Sequence, residues 1–374
     1  MKNFVLKTVT TDYIYNELEK IGFDSGYRHT AVEKFNYENI KIYSLNPAQA
    51  NILKQTALTV GAECATHHDV ITGTIEKSDV ILTGSRSQFK KISQKLINQP
   101  FGLKVLGEEI INFLDKRVRT TKIAGILNIT PDSFSDGGEY FNSEDSIRHF
   151  VDMVEDGADL IDIGAESTRP NALPVSDNEQ IRRLKTVLDF LQKEKYEIPV
   201  SVDTRSSVVA DFALNNGASL INDVSGFDFD EKMPKVIAQY NASVIIQHSQ
   251  GTPENMQKKP QYGNLIDEIF FSLKNKAEYA ESLGIKNIII DPGIGFGKTR
   301  DDNFEILNRI EEFYALDLPI MVGVSRKSLL GINDADNETK DALTLAISYP
   351  LYQKGIDYLR VHNVKLHKTM LKNT

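Results

Sequence analysis

The segment from Lys122 to Asn363 alternates short apolar runs with amphipathic stretches, and this alternation is the feature that most constrains the fold. Eight runs can be counted. They are KIAGILNI (122–129), ADLIDIGA (158–165), PVSVDT (199–204), SLINDVSG (219–226), ASVIIQHS (242–249), NIIIDP (287–292), PIMVGVSR (319–326) and IDYLRVHN (356–363). Each run is typical of a buried strand, and the stretches between them carry apolar residues at helical spacing. Eight strand and helix units over residues 121–374 predict a (β/α)8 TIM barrel.

Two other features bear on the architecture. An open doubly wound sheet is the main alternative to a barrel, but no glycine-rich dinucleotide turn follows the first strand. Residues 1–120 have a different order, because the strand-like segments 39–44 and 79–85 are each followed by a helix-like segment. We therefore expect a smaller α/β domain of unknown role over 1–120, followed by the barrel over 121–374.

Composition excludes several classes of protein. The chain has 374 residues, of which 41% are apolar, so it can bury large cores. No stretch of eighteen consecutive apolar residues occurs, and the start MKNFVLKTVTTDY lacks the pattern of a signal peptide. We expect a cytoplasmic protein without a membrane partner. The single cysteine, Cys64, excludes an intrachain disulfide, and the sequence leaves a homodimer open.

Charge is unevenly divided along the chain. The net charge is −9, and residues 121–374 hold 39 acidic against 27 basic side chains. This balance argues against a nucleic-acid partner. If the barrel binds an anion, its cations must be local and positioned, because the overall field would repel the ligand.

Polar residues concentrate where the predicted strands end, which is where TIM barrels place their active sites. Asp203, Asn222 and Asp291, together with Lys327, offer acceptors and donors suited to a flat heterocycle rich in N–H groups. A buried carboxylate needs a partner, so Asp203 or Asp291 should meet a donor from the ligand or from Lys327. A plain ion pair between aspartate and lysine is the alternative.

A second set of residues is suited to an anion. Asn128, Arg169, Arg360 and His362 could surround a phosphate, with arginine offering a bidentate fork. Arg360 and His362 occupy alternate positions at the end of the eighth strand, so their side chains leave the same side of it. Such a set in an acidic domain indicates an anionic substrate.

Seven separated motifs resemble those of the dihydropteroate synthase family. They are NITPDSFSDGG (128–138), GAESTRP (164–170), SVDT (201–204), INDVSG (221–226), DPGIGFGK (291–298), SRKS (325–328) and RVH (360–362). They follow one another in order at the predicted strand ends. The resemblance implies a transferase of folate biosynthesis that joins 4-aminobenzoate to 6-hydroxymethyl-7,8-dihydropterin diphosphate and releases pyrophosphate.

The resemblance also implies a role for each matching residue. Asp203, Asn222, Asp291 and Lys327 would hold the pterin. Asn128, Arg360 and His362 would hold the diphosphate with Mg²⁺, and Asn128 would be the metal ligand.

Two loops complete the implied site. The first, from Asp132 to Gly138, would be a mobile flap that includes Phe134 and Asp136. The second contains Thr168, Arg169 and Pro170. With Lys327 and Ser328 they would close over the leaving group and shape the aminobenzoate pocket, which is also the pocket that sulfonamides occupy.

The sequence departs from the family pattern at two positions. The family commonly has RVHDV where this chain has Asn363, and a methionine where it has Gln247.

Two alternative functions remain. A pterin-binding methyltransferase on the same barrel would share Asp203 and Asn222 but would need no diphosphate clamp. A pterin-binding module without catalysis would be favoured only if the loop motifs were damaged, and they are intact.

Overall fold

A computed structural model of the chain describes residues 6–115, 119–129, 143–166, 174–251, 260–332 and 334–373. The chain divides into two compact units, Met1–Arg117 and Val118–Thr374. No helix in the described ranges is both long and apolar enough to span a bilayer.

The first unit is built on a three-stranded antiparallel sheet of order β1-β3-β2. Its elements are α1 (Ile14–Lys20), α2 (Arg28–Val32), β1 (Tyr37–Leu45), α3 (Pro47–Leu58), β2 (Glu63–Thr66), β3 (Ser78–Ser85), α4 (Arg86–Leu96) and α5 (Leu103–Leu114). Both predicted strand and helix pairs are present. Asn46 and Ser85 begin α3 and α4 with capping boxes, which explains why each strand turns directly into a helix. The cysteine, Cys64, is fully buried in the core of this unit.

The second unit is a barrel of eight parallel strands. The strands are β4 (Lys122–Asn128), β5 (Leu160–Gly164), β6 (Val200–Asp203), β7 (Leu220–Asp223), β8 (Ser243–Gln247), β9 (Ile288–Asp291), β10 (Met321–Val322) and β11 (Tyr358–Val361). They pair in the order β10-β11-β4-β5-β6-β7-β8-β9, and a parallel bridge between Ile290 and Ile320 joins the two ends. The predicted TIM barrel preceded by a smaller α/β region is therefore confirmed.

Helices alternate with the strands around the barrel. They are α6 (Ser143–Glu155), α7 (Asp177–Glu194), α8 (Ser207–Asn215), α9 (Met233–Gln239), α10 (Leu265–Ser282), α11 (Arg300–Asn308), α12 (Asn337–Gln353) and α13 (Val364–Lys372). The seventh apolar run forms only two residues of strand. Pro319 precedes it and has no N–H for the ladder, although its carbonyl accepts from Ile290 N at 2.9 Å.

The strands separate two apolar regions. One face of each strand packs beneath the helices in the main core, as Ile161, Val202 and Val361 do. The other face looks into the barrel, where a smaller cluster closes the interior. It consists of Ala124, Leu160, Leu220, Ile245, Ile289 and Met321, with Tyr358 packed against it. Because side chains alternate along a strand, the next inward positions toward the carboxyl ends lie above this apolar floor.

Candidate active site

The alternation of side chains brings most of the predicted site residues to one place. Above the apolar floor, most of the inward positions at the carboxyl ends of the strands, or directly after them, are polar. They are Asn128, Asp162, Ser201, Asp203, Asn222, Gln247, Asp291, Ser325, Arg360 and His362. Apolar residues of the main core flank these positions, which fixes their direction. The carboxyl end of the barrel therefore presents a polar interior above a dry floor.

Arg360 lies between two carboxylates at the centre of this interior. Its guanidinium is 2.6 Å from Asp162 Oδ2 and 3.0 Å from Asp203 Oδ2. Asp162 is fully buried and Asp203 is 7% exposed, so both charges depend on the arginine for compensation. The sequence predicted that Asp203 or Asp291 would meet a ligand donor or Lys327. In the structure Asp203 also has a partner that the sequence did not indicate, Arg360, which comes from the last strand of the barrel.

Burial dominates the ionisation of Asp203. It raises the pKa of this carboxyl to about 7; Arg360 acts in the opposite direction, and nearby Asp162, Glu166 and Asp223 add to the increase. At neutral pH the carboxyl therefore lies close to its titration point. A ligand that donates hydrogen bonds would favour its charged form.

Asn222 shares the same network. Its Nδ2 donates to Asp162 Oδ2 at 2.9 Å, and the side chain is buried. Because a carboxylate only accepts hydrogen bonds, the amide nitrogen must face Asp162 and the amide oxygen must face away from it.

Several buried polar atoms of this interior have no hydrogen-bond partner among the described residues. They are Asp162 Oδ1, Ser201 Oγ, Asp203 Oδ1 and Asn222 Oδ1. Three of the four are pure acceptors, and leaving such groups unpaired is unfavourable by about 1–3 kcal/mol each. Unpaired acceptors gathered in one pocket indicate a ligand rich in N–H groups.

Asp291 and Lys327 lie on the opposite side of the interior. Asp291 Oδ1 accepts from Gly293 N at 2.7 Å, and burial raises the pKa of its carboxyl while Lys327 lowers it. Lys327 Nζ donates to Ile294 O at 2.5 Å and lies 4.7 Å from the centre of the Phe296 ring. Burial lowers the pKa of Lys327 to about 8, and Asp291 opposes that effect. Among the described residues Lys327 forms no ion pair, so the plain pair with aspartate is not what is observed.

The loop after Asp291 is held by close backbone packing. Gly293 has φ +73°, and a Cβ there would lie 1.8 Å from His248 O. Lys298 is buried at the end of this loop, where its Nζ lies 3.0 Å from His248 Nδ1 and donates to Phe296 O at 3.0 Å. Burial lowers the pKa of Lys298 to about 7. The lysine thus binds the loop to the end of β8.

His362 and Asn128 lie at the rim of the barrel. Ser325 Oγ accepts from His362 N at 3.1 Å and lies 2.9 Å from His362 Nδ1. If the hydroxyl proton goes to Nδ1, a neutral His362 carries its own proton on Nε2, where it can donate to an anion. Asn128 pairs with Gly164, and a Cβ at Gly164 would lie 3.2 Å from Asn128 Oδ1. Glycine at 164 therefore makes room for this amide.

The remaining predicted residues divide into two groups. Ser328 begins a short 3-10 turn, Ser328–Leu330, directly after Lys327 and is exposed. The loop residues lie outside the described residues. They are Phe134, Asp136, Thr168, Arg169 and Pro170.

Both departures from the family pattern have local hydrogen bonds. Asn363 Oδ1 accepts from Leu366 N and begins α13, and its Nδ2 donates to Asp341 Oδ2 at 3.1 Å. Asn is thus an adequate cap where the family commonly has Asp. Gln247 is buried at the register of Asp291, and its Nε2 donates to Val224 O at 3.3 Å.

Sequence reasoning missed Asp162, Ser201 and Lys298. The signal for Asp162 was present, because a carboxylate between Ile161 and Ile163 shares the inward face of a strand with Leu160. Ser201 occupies the position beside Asp162 on β6 and would have followed from the same argument. Nothing in the spacing of DPGIGFGK indicates that its last residue turns inward.

Comparisons with known proteins define the class of this barrel. Residues 124–362 match the family described as pterin binding enzyme. The dihydropteroate synthase of Clostridium beijerinckii is 40% identical over 258 residues, which cover 68% of this chain and 93% of the relative. The chain belongs to the dihydropteroate synthase family, as its seven motifs predicted.

Two further comparisons concern the extent of the match. A Xanthomonas albilineans dihydropteroate synthase structure with 4-aminobenzoic acid has a TM-score of 0.63 and 34% identity, and the match covers 68% of this chain and 91% of that one. A bifunctional dihydropteroate synthase/dihydropteroate reductase of Helicobacter pylori is 34% identical, and the match covers 98% of this chain and 97% of the relative. The chain spans only 40% of the probable bifunctional folylpolyglutamate synthase/dihydropteroate synthases of Haloferax volcanii and Halobacterium salinarum.

Proposed function

We propose that the protein acts as a dihydropteroate synthase, which condenses 6-hydroxymethyl-7,8-dihydropterin diphosphate with 4-aminobenzoate to give 7,8-dihydropteroate and pyrophosphate. The observation that carries the proposal is the group of buried, unpaired acceptors beside Arg360, whose side chain is only 16% exposed. Asp203 Oδ1 and Asn222 Oδ1 lack donors in the described structure, and a pterin edge supplies N–H groups of the required kind.

The pterin would lie flat across the barrel interior. Asp203 and Asn222 would accept from one edge of the heterocycle, and Asp291 and Lys327 would contact it from the side of the 291–298 loop. Lys327 supports this arrangement because its ammonium is held over the Phe296 ring and fixed by Ile294 O. The apolar floor below, with Ile245 and Ile289, limits how deep the ring can enter.

The diphosphate would face the rim. Arg360 and His362 leave the same side of β11 and would carry the negative charge, with His362 donating from Nε2. Asn128 offers a carboxamide oxygen at that rim, and an oxygen ligand of this kind fits Mg²⁺, which commonly binds one or two protein oxygens together with substrate phosphates. The ion would supply positive charge to the departing diphosphate.

The aminobenzoate pocket would be formed by the two loops. Phe134, Thr168 and Pro170 would line it with Lys327 and Ser328. Asp136 and Arg169 would lie over the leaving group. The solved X. albilineans dihydropteroate synthase with 4-aminobenzoic acid supports 4-aminobenzoate as the second substrate.

The chemistry needs no enzyme nucleophile. The C–O bond between the pterin methylene and the diphosphate breaks, a C–N bond to the aminobenzoate amine forms, and the amine loses a proton. Because that amine is a weak nucleophile, departure of the diphosphate should lead attack. The main task of Arg360 and His362 is then to hold the negative charge that develops. A Schiff-base role for Lys327 is not required.

The test is incubation with 4-aminobenzoate, the pterin diphosphate and Mg²⁺, with detection of dihydropteroate and pyrophosphate. We expect dihydropteroate and pyrophosphate to form in equal amounts. If the folded protein forms neither, the proposal is wrong. The alternative, a pterin-binding methyltransferase, would bind the pterin but would not release pyrophosphate. Light scattering of the same sample would show whether the protein is a monomer or a homodimer, which the sequence leaves open.

A second candidate function follows from one observation. The H. pylori relative that carries a dihydropteroate reductase activity in its name matches this chain nearly end to end, including the three-stranded first unit. We propose that the whole chain also reduces dihydropteroate. Incubation with dihydropteroate and NADH or NADPH, with and without added flavin, should give tetrahydropteroate, and no reduction under any of these conditions would contradict it.

A further inference from the structure

Asp162 connects the residues proposed to bind the pterin with those proposed to bind the diphosphate, although it belongs to neither group. It is fully buried in the interior of the barrel, in the middle of β5. Its Oδ2 accepts both from Asn222 Nδ2 at 2.9 Å and from the Arg360 guanidinium at 2.6 Å. One oxygen atom thus joins a proposed pterin acceptor to a proposed diphosphate cation.

The first consequence concerns Asn222. An amide can present either its oxygen or its nitrogen to a ligand, and the two ends have the same shape. Because the Asp162 carboxylate accepts only, it turns the Asn222 nitrogen toward itself and leaves Oδ1 as the acceptor. Without this carboxylate, the amide could rotate and present a donor to the donor edge of the heterocycle.

The second consequence concerns Arg360. Its guanidinium is shared between Asp162 and Asp203, and Asp162 is the closer partner. If Asp162 were neutral, Asp203 would be the remaining charged partner of this arginine. The pair would then tighten and compete with the ligand for Asp203. Asp162 therefore keeps Asp203 accessible while it holds the guanidinium of Arg360 in place.

We propose that Asp162 is a positioning residue that orients Asn222 for the pterin and Arg360 for the diphosphate. This inference rests on the proposed function. Asp162 acts on the site through these two neighbours, which both bind its Oδ2.

The experiment compares Asp162→Asn with the wild-type protein. We expect the Kd for 6-hydroxymethylpterin, which lacks the diphosphate, to rise by about ten- to a hundredfold, and kcat to fall at least about tenfold. Asp162→Ala is the second variant, because it removes the carboxylate without placing an amide NH₂ against the guanidinium. Circular dichroism establishes that each variant is folded.

Asp159→Asn is the matched control. Asp159 belongs to the same region of chain but contacts Ile123 N and Lys368 Nζ, outside the site. Its loss should lower the melting temperature and leave pterin affinity and kcat unchanged. Affinity and kcat within about twofold of wild type in a folded Asp162 variant would overturn the inference.

A double-mutant cycle tests whether Asp162 acts through Asn222. In an Asn222→Ala background, Asp162→Asn should weaken pterin binding much less than it does in the wild type. Independent, multiplying effects would refute positioning through Asn222. If the wild type binds pterin but forms no dihydropteroate, the proposed function fails, and the binding data still decide the role of Asp162.

Discussion

Replacement of Asp203 by asparagine changes one acceptor of the proposed pterin pocket without changing its size. Asp203 Oδ2 pairs with Arg360 at 3.0 Å, and Oδ1 is buried without a partner among the described residues. Asparagine would remove the charge and would place an NH₂ group against either the guanidinium or the donor edge of the ligand. In both orientations one good hydrogen bond is lost.

The expected change in pterin affinity follows from the loss of this one hydrogen bond. One charge-assisted hydrogen bond left unmade is unfavourable by about 1.5–3 kcal/mol. At 1.36 kcal/mol per factor of ten, this corresponds to a pterin Kd about 10 to 150 times higher.

The pH dependence provides a second signature. Burial raises the pKa of Asp203 to about 7 in the unliganded protein, with Arg360 opposing the increase. A pterin edge that donates hydrogen bonds prefers the carboxylate form. As pH falls below about 7, the wild type should therefore lose affinity by up to tenfold per pH unit, whereas the asparagine variant should lack this component.

The free energy of unfolding should depend on pH in the opposite direction to pterin affinity. The folded-state pKa of Asp203 lies above its unfolded value, so the folded state favours the protonated form. The carboxylate therefore progressively lowers the free energy of unfolding as pH rises from about 4 to about 7. Asparagine cannot ionise. At pH above about 7 the variant should melt at or above the wild-type temperature while binding pterin more weakly.

Calorimetric titration with 6-hydroxymethylpterin between about pH 6 and about pH 8 measures affinity, and thermal melts in the same buffers measure stability. Asp159→Asn is again the control, and its affinity should match the wild type at every pH. Unchanged pterin affinity in Asp203→Asn would remove Asp203 from the pocket. An identical pH dependence in variant and wild type would refute the role assigned to its ionisation.

Three other predictions concern the leaving group, the loops and the first unit. Arg360→Ala should lower kcat about a hundred- to a thousandfold, with a smaller effect on binding of diphosphate-free pterin; an intact kcat would contradict the charge-stabilising role. A sulfonamide should bind tightly, by calorimetry, only with pyrophosphate and Mg²⁺ present, because loop closure should follow diphosphate binding; equal binding to the bare enzyme would refute this order. A truncated chain that begins at Val118 should retain synthase turnover, and a truncated chain that is folded by circular dichroism but inactive would refute dispensability.

Local sequence signals were enough to predict the barrel. The eight apolar runs coincide with β4 to β11, because a strand buried on both faces needs apolar residues at nearly every position. Helix limits followed from local chemistry, as at Gly157, whose φ of +91° ends the α6 segment. The polar residues at the strand ends then predicted the location of the site, since parallel strands in a closed barrel bring their carboxyl ends to one edge.

The partners within the site could not be predicted in the same way. Asp162 and Arg360 are 198 residues apart, and only closure of the barrel places β11 beside β4 and the arginine opposite Asp162. The sequence therefore offered only a ligand donor or Lys327 as the partner of Asp203 or Asp291, and it did not indicate Arg360. Lys298 was missed because its burial depends on the path of the glycine loop, which passes within contact of the His248 carbonyl.

The same polar interior links ligand binding to the stability of the barrel. Asp162, Asp203 and Asp291 place three buried carboxylates around Arg360 and Lys327, and several acceptors remain unpaired in the described structure. Such groups lower the free energy of unfolding, because they lose water without gaining a donor. A pterin would supply the missing donors in the folded state alone, since the unfolded chain holds no pocket. Hydrogen bonds from a bound pterin would therefore raise the free energy of unfolding, so that stability and affinity depend on the same few oxygen atoms.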